Sequence, residues 1–252
     1  MRNNLIKKIL IKTLFPYGSI RTILVGPCRG MKVKLTFQSG HSVLRSYESK
    51  NQKFLAKKIK KGMTIYDIGA SCGQYALFFS RMVGPEGRVA SFEPVRSIFE
   101  QLQANVDLNN LKWVSCHQLA LGDKNGEEEF YFSPSNPTMG KVRGVEPAHH
   151  VSGVMENVLV PMQTLDSFSK DMSSLDILKI DTEGSAGIVL RGGIETIKKF
   201  SPSLFIELHG PDEQNSVQTC MDRSDYKIFD LKGRRVINLN EEWVSPIWCC
   251  RA

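Results

Sequence analysis

From residue 63 onward, short apolar runs of strand length alternate with segments whose apolar residues recur at helical spacing. "MTIYDIG", "GRVASFE", "WVSCHQLAL", "LDILKID" and "SLFIELH" are strand-like, and "YKIFDL" and "RRVINL" follow as late strands. Residues 74–82, 185–199 and 212–222 read as helices. So does "VRSIFEQLQANVDLNN", where Val95, Ile98, Phe99, Leu102 and Val106 fall on one face. Alternation repeated this often predicts an α/β fold, a mostly parallel sheet wrapped on both faces by helices. "GEEEFYF" and "NVLVPMQT" are further strands, and residues 133–153, rich in Pro and Gly, read as a long loop whose pair His149–His150 reads as exposed, with a lid over the substrate as the alternative.

A length of 252 residues suits one sizeable domain with a short extension. The hydrophobic content of 41% with 23% charged residues excludes wholesale disorder. No apolar run approaches the ~20 residues of a membrane span. Residues 1–50 read as a basic extension: an amphipathic helix over 1–15 with Leu5, Ile6, Ile9 and Leu10 on one side, then a small hairpin around "GPCRG". Residues 51–252 form the main domain. Charge is unevenly spread: residues 1–61 hold 15 Lys and Arg against the single acid Glu48. Such a segment suits an anionic neighbour, whether acidic lipid headgroups, a phosphorylated substrate or nucleic acid. The six cysteines lack zinc-site spacing and read as free thiols of a reducing compartment. The expected location is cytoplasmic, with peripheral contact to anionic membrane through residues 1–15.

In an open parallel sheet, ligands bind where strand ends meet the following turns. The first such turn is "YDIGASCGQY", residues 66–75. A dinucleotide fingerprint requires G-x-G-x-x-G and a P-loop requires Gly-Lys-Ser/Thr. Here Gly69-Ala70-Ser71-Cys72-Gly73 is followed by Gln74 and Tyr75, with Asp67 two residues ahead. A carboxylate repels pyrophosphate and suits a cationic or hydroxyl-rich ligand. The next strand ends in "ASFEP", where Glu93 is placed to accept two ribose hydroxyls ahead of Pro94. The two acids and the glycine turn together specify a nucleoside without a phosphate and point to S-adenosylmethionine.

These stretches, with "NVDLNN", "ALGDKNGEEEFYF", "VPMQTLDSF", "LDILKIDTEGSAGIVLRGG" and "PSLFIELHG", resemble the FkbM-type S-adenosylmethionine-dependent methyltransferases from about Leu44 to Gly210. The resemblance implies a Rossmann-like class I fold with a seven-stranded sheet. It also implies cofactor contacts at Asp67, Gly69, Ala70, Ser71, Gly73, Glu93 and Pro94, with Ala120 and Leu121 of "LALGD" near the adenine. Two positions depart from the family pattern. Ser71 stands where asparagine is frequent, and Ala186 stands where a second glutamate is usual in D-x-E-G-x-E. The implied acceptor is a hydroxyl of a sugar, glycolipid or other natural product.

Methyl transfer from a sulfonium is an in-line displacement, so positioning and removal of the hydroxyl proton are the main tasks. Asp181 and Glu183 in "KIDTEG" and Glu207 and His209 in "FIELH" end the fourth and fifth strands and are the candidate catalytic residues. Asp181 would orient the acceptor hydroxyl or lie near the sulfonium. Glu183 or His209 would be the base, since histidine titrates near neutrality. A divalent metal held by Asp181 and Glu207 is an alternative, but carboxylates alone do not make a metal centre and no metal is assigned. An RNA methyltransferase using the basic N-terminus is an alternative. Against nucleic acid, the chain lacks a "[DN]-P-P-[FYW]" motif after the fourth strand and a lysine beside Glu207. A catalytically silent cofactor-binding module is a further alternative, which Ala186 permits.

Overall fold

A computed structural model of the chain describes residues 16, 18–35, 49–133, 136–142 and 156–251. Its elements begin with β1 (Ile20–Thr22), β2 (Lys32–Lys34), α1 (Ser49–Ala56), β3 (Thr64–Ile68), α2 (Gln74–Val83), β4 (Arg88–Phe92) and α3 (Arg96–Asp107). Next come β5 (Val114–His117), β6 (Ala120–Gly122), β7 (Gly126–Ser133), β8 (Asn136–Val142), β9 (Glu156–Thr164), α4 (Leu165–Phe168) and β10 (Ile177–Ile180). The chain ends with α5 (Ala186–Arg191), α6 (Ile194–Phe200), β11 (Ser203–Ile206), α7 (Pro211–Asp222), β12 (Tyr226–Asp230), β13 (Arg235–Val236) and β14 (Ile247–Arg251). The helix expected over 1–15 and the pair His149–His150 lie outside the described residues. Among the described residues, no helix is long and apolar enough to cross a membrane.

The α/β alternation resolves into a sheet ordered β13-β12-β14-β11-β10-β3-β4-β5. The run from β11 to β5 is parallel, while β14, β12 and β13 pair antiparallel. The sheet has eight strands where seven are expected, the two-residue β13 lying at its edge. β14 arises from "IWCCR", which inserts between β11 and β12 and buries Cys249 completely. Strands β3, β4 and β5 succeed one another in one direction, and the order reverses between β3 and β10. That reversal opens a crevice outside the carboxyl ends of β3 and β10, the place where such sheets bind ligands.

A second sheet, ordered β6-β9-β7-β8, stands beside the first. It corrects two expectations. "WVSCHQLAL" divides, with β5 in the main sheet and β6 paired parallel to β9. Part of the expected 133–153 loop is strand β8, paired antiparallel with β7. Its Pro137 suggests a loop, but β8 is an edge strand, where a missing N–H costs little. Gly140 is required there: a Cβ would come within 2.1 Å of the Phe130 ring.

The β1–β2 hairpin does not stand apart. Ile23, Cys28, Met31, Val33 and Leu35 join Leu55, Phe78, Phe79 and Leu102 in one core. Two asparagines, Asn105 of α3 and Asn109 just beyond its end, fasten the second strand. Lys34 N–H donates to Asn105 Oδ1 at 2.7 Å, and Lys32 N–H donates to Asn109 Oδ1 at 2.8 Å. Asn105 Nδ2 in turn donates to the Cys72 carbonyl at 2.8 Å, inside the glycine turn. Asn105 is buried, so its removal strands groups on both sides. Asn105→Ala should lower the unfolding free energy by ~2 kcal/mol in urea titrations. A loss under ~0.5 kcal/mol would show that the hairpin is not held through this side chain.

Candidate active site

Strands β3 and β10 run side by side with Asp67 opposite Lys179. Both strands are buried along their whole length, so these two charges face each other without water. Lys179 Nζ lies 3.0 Å from Asp67 Oδ1 and 3.4 Å from Asp181 Oδ2. The Tyr75 ring of α2 closes the remaining side, 4.7 Å from the ammonium to the centroid. Lys179 is absent from the residues that the sequence singles out, although a lone lysine in the apolar run "ILKI" is itself a signal.

The glycine turn is pinned between the ends of β4 and β10. The N–H groups of Gly69 and Ala70 both donate to the Phe92 carbonyl, and Asp181 N–H donates to the Ile68 carbonyl. Gly69 has φ +76°, and a Cβ on it would sit 1.9 Å from the Asp181 carbonyl oxygen. No other residue allows the turn to lie this close to β10. Ser71 also takes a left-handed conformation, φ 48°, which aims its N–H at Glu93 Oε2 at 3.1 Å. Val95 N–H donates to Glu93 Oε1 at 3.0 Å. Each carboxylate oxygen keeps a further lone pair. Burial, only partly offset by these two bonds, pushes the Glu93 carboxyl up to about 7.

Beyond β10, Glu183 sits in the left-handed region with φ 51°, followed by Gly184 with φ 115°. A non-glycine residue held there is strained, a condition found at functional sites. His209, after β11, lies against three carboxylates. Its Nε2 is 3.2 Å from Asp181 Oδ1 and 3.8 Å from Glu183 Oε2, and its Nδ1 is 3.5 Å from Glu213 Oε2. Glu213, buried at the start of α7, also accepts the His209 N–H at 2.7 Å and the Ala186 N–H at 2.8 Å. Burial disfavours the charged imidazole, but the surrounding carboxylates win and raise it to about 11. Burial likewise opposes ionisation of Asp181, yet Lys179 and His209 hold it below the ordinary carboxylate range. Glu183 moves the other way: burial raises it, with Asp181 and Glu213 adding to the rise against the pull of His209.

These elements enclose a cleft with about 560 Å³ of empty space, including its open mouth. Of the residues expected at a cofactor, Gly69, Glu93, Pro94, Ala120 and Leu121 line it. Ala70, Ser71 and Gly73 form the turn behind it, and Asp67 is fully buried against Lys179 instead of facing the cleft. Of the expected catalytic residues, Asp181 and Glu183 line it, His209 stands behind them, and Glu207 is not part of the lining. Ile68, Phe92, Thr182, Ser185, Leu119, Phe130 and Gly140 complete the wall. Phe130 and Gly140 come from the second sheet, whose place beside the cleft is a tertiary fact. The lining fits an adenosyl group: an apolar side at Leu119–Leu121, a carboxylate with spare lone pairs, and a turn stripped of Cβ atoms where it meets β10. Among the described residues, no group of three side chains is arranged to hold a metal ion.

The family profile described as methyltransferase FkbM domain matches residues 67–232. The chain is 28% identical over 201 residues to Methyltransferase 1 of Beauveria bassiana, an alignment covering 72% of this chain and 76% of that one. Among solved structures it is similar to methyltransferase FkbM from Methylobacillus flagellatus, with TM-score 0.49 and 18% identity. That match takes in 76% of this chain and spans 43% of the other protein's length. An O-methyltransferase from Bacillus cereus in complex with SAH is similar at TM-score 0.49 and 12% identity, covering 82% of this chain and 83% of that one.

The Glu93 carboxyl near 7 has a measurable consequence. Ribose hydroxyls donate to a carboxylate, so a bound nucleoside favours the ionised form and lowers this pKa. Affinity for S-adenosylmethionine should therefore be constant above neutral pH and fall as pH drops below about 7, by up to ~10-fold per unit. Calorimetric titrations from pH 8 to pH 6 (roughly one unit either side of the midpoint) would show it, and Glu93→Gln should flatten the profile. A parent profile as flat as the variant's would remove Glu93 from the cofactor site.

Proposed function

Since the chain belongs to the FkbM methyltransferase family, we propose that it methylates a hydroxyl on a sugar, glycolipid or other natural-product acceptor, with Glu183 as the base. Its cofactor is S-adenosylmethionine, which supplies an electrophilic methyl group carried on a sulfonium. Glu93 binds the ribose hydroxyls through the lone pairs that Ser71 and Val95 leave free. Leu119, Ala120 and Leu121 pack against the adenine. Asp67 acts one step back, holding Lys179 in place without touching the ligand.

The observation that carries the choice of base is the contrast between Glu183 and His209. An imidazolium has no lone pair to offer, so the protonated His209 cannot remove a proton. Glu183 lines the cleft, and its raised pKa makes it the better proton acceptor. Once protonated it is neutral, which relieves repulsion from Asp181 and Glu213. His209 thus positions Asp181 and Glu183 and is not itself the base. We place it in the reducing cytosol on the sequence pattern of its six cysteines, which lack zinc-site spacing.

The test uses cofactor labelled in its methyl group and a panel of polyhydroxylated acceptors. Label in an alkali-stable ether is expected. Glu183→Gln should lower kcat by ~100-fold or more while leaving cofactor affinity within about twofold. Label entering RNA, an alkali-labile ester or no acceptor would overturn the acceptor assignment. An unchanged kcat in Glu183→Gln would overturn the assignment of the base.

A further inference from the structure

Seven large apolar side chains are exposed among the described residues, and three of them share the β1–β2 hairpin. Ile20, Leu24 and Val25 are 49%, 54% and 39% exposed. Strand alternation accounts for the arrangement. Ile23 and Val33 enter the core, so the outward face carries Ile20 opposite Lys34 and Thr22 opposite Lys32, with Leu24 next along the same face. Residues 18–35 contain Arg21, Arg29, Lys32 and Lys34 and no acid. Cations continue beneath the turn, where Arg81 acts on the buried Cys28 thiol and Lys61 Nζ donates to the Arg81 carbonyl at 3.1 Å.

We propose that this outer face docks on an anionic lipid bilayer, with Ile20, Leu24 and Val25 entering the interface and Arg29, Lys32 and Lys34 meeting the phosphates. The pattern is that of an interfacial element, an apolar strip flanked by cations. A nucleic acid would use the cations but has no use for an aliphatic tip, since base stacking requires aromatic side chains. The proposed surface is made of residues 20–34 and does not depend on which acceptor is methylated. Asn105 joins Lys34 of the hairpin to Cys72 of the cofactor turn, so docking would hold the methyltransferase site on a membrane-bound protein. The lipid-linked members of the proposed acceptor class are therefore the ones this surface favours.

The experiment is co-sedimentation of the full chain with phosphatidylcholine vesicles, with and without phosphatidylglycerol. The protein should pellet with the anionic vesicles only. The double variant Leu24→Asp/Val25→Asp should lower the partition coefficient by ~10-fold or more. Lys32→Ala/Lys34→Ala should lower it by roughly fivefold per lysine. Ile237→Asp, at an apolar residue 72% exposed outside the hairpin, should leave it unchanged. Cofactor affinity, measured in parallel, should match the parent in all three, which separates loss of docking from loss of fold or of the methyltransferase site. Absence of pelleting by the parent would overturn the proposal. Equal pelleting by the parent and both hairpin variants would overturn it too and assign vesicle binding elsewhere in the chain. Tighter, salt-sensitive binding to an RNA oligonucleotide that ignores Leu24→Asp/Val25→Asp would identify the basic surface as a phosphate-binding one instead.

Discussion

A lysine ammonium on a central strand, 1% exposed, must be neutralised where it stands. Lys179 has that place, and the structure answers with Asp67 at 3.0 Å, Asp181 at 3.4 Å and the face of Tyr75. An unpaired buried charge costs several kcal/mol, so the pairing of β3 with β10 admits one register, with Asp67 opposite Lys179. The same pairing puts the glycine turn against the end of β10 and leaves Asp181 in the cleft wall with His209 behind it.

From Lys179 the charges alternate outward. Asp181 gives one oxygen to Lys179 and the other to His209, and His209 in turn meets Glu213. Glu213 closes the series by accepting the Ala186 N–H at the start of α5. Four elements of the site, β3, β10, the loop after β11 and the start of α7, are thereby tied to one another by ions of opposite sign. Glu183 stands beside this series without being neutralised by it: among the described residues the cation it meets is His209, which is shared among three carboxylates. A raised proton affinity at Glu183 follows from that crowding together with its burial. Order in the ionised residues and basicity in the neighbouring one have the same origin.

How much of this was legible in the sequence depends on the range of the interaction. The strand–turn–helix at 63–83 and the acid at Glu93 are local patterns, and the structure brings Gly69, Glu93, Pro94, Ala120 and Leu121 to one cleft. Direction was not legible. The spacing of Asp67 places a carboxylate beside the turn but cannot tell that it faces a buried lysine on the next strand. Glu213 reads as an ordinary acid in the first turn of a helix, and only the approach of α7 to His209 and Ala186 gives it a further role. Histidine near an acid suggests a base at neutral pH; three carboxylates around it reverse that reading, and they come from separate segments. Pro137 and the glycines around it suggest a loop because local composition does not reveal that β8 is an edge strand.

The protonation of His209 is the most direct test of this charge network. Nuclear magnetic resonance of the imidazole nitrogens, followed from roughly pH 5 to pH 9, reports the ring's charge without reference to any substrate. The account predicts an imidazolium throughout, with titration deferred toward about 11. A midpoint near the ordinary 6.5 would contradict it, showing that Asp181, Glu183 and Glu213 do not hold the charge and returning His209 to the role of base.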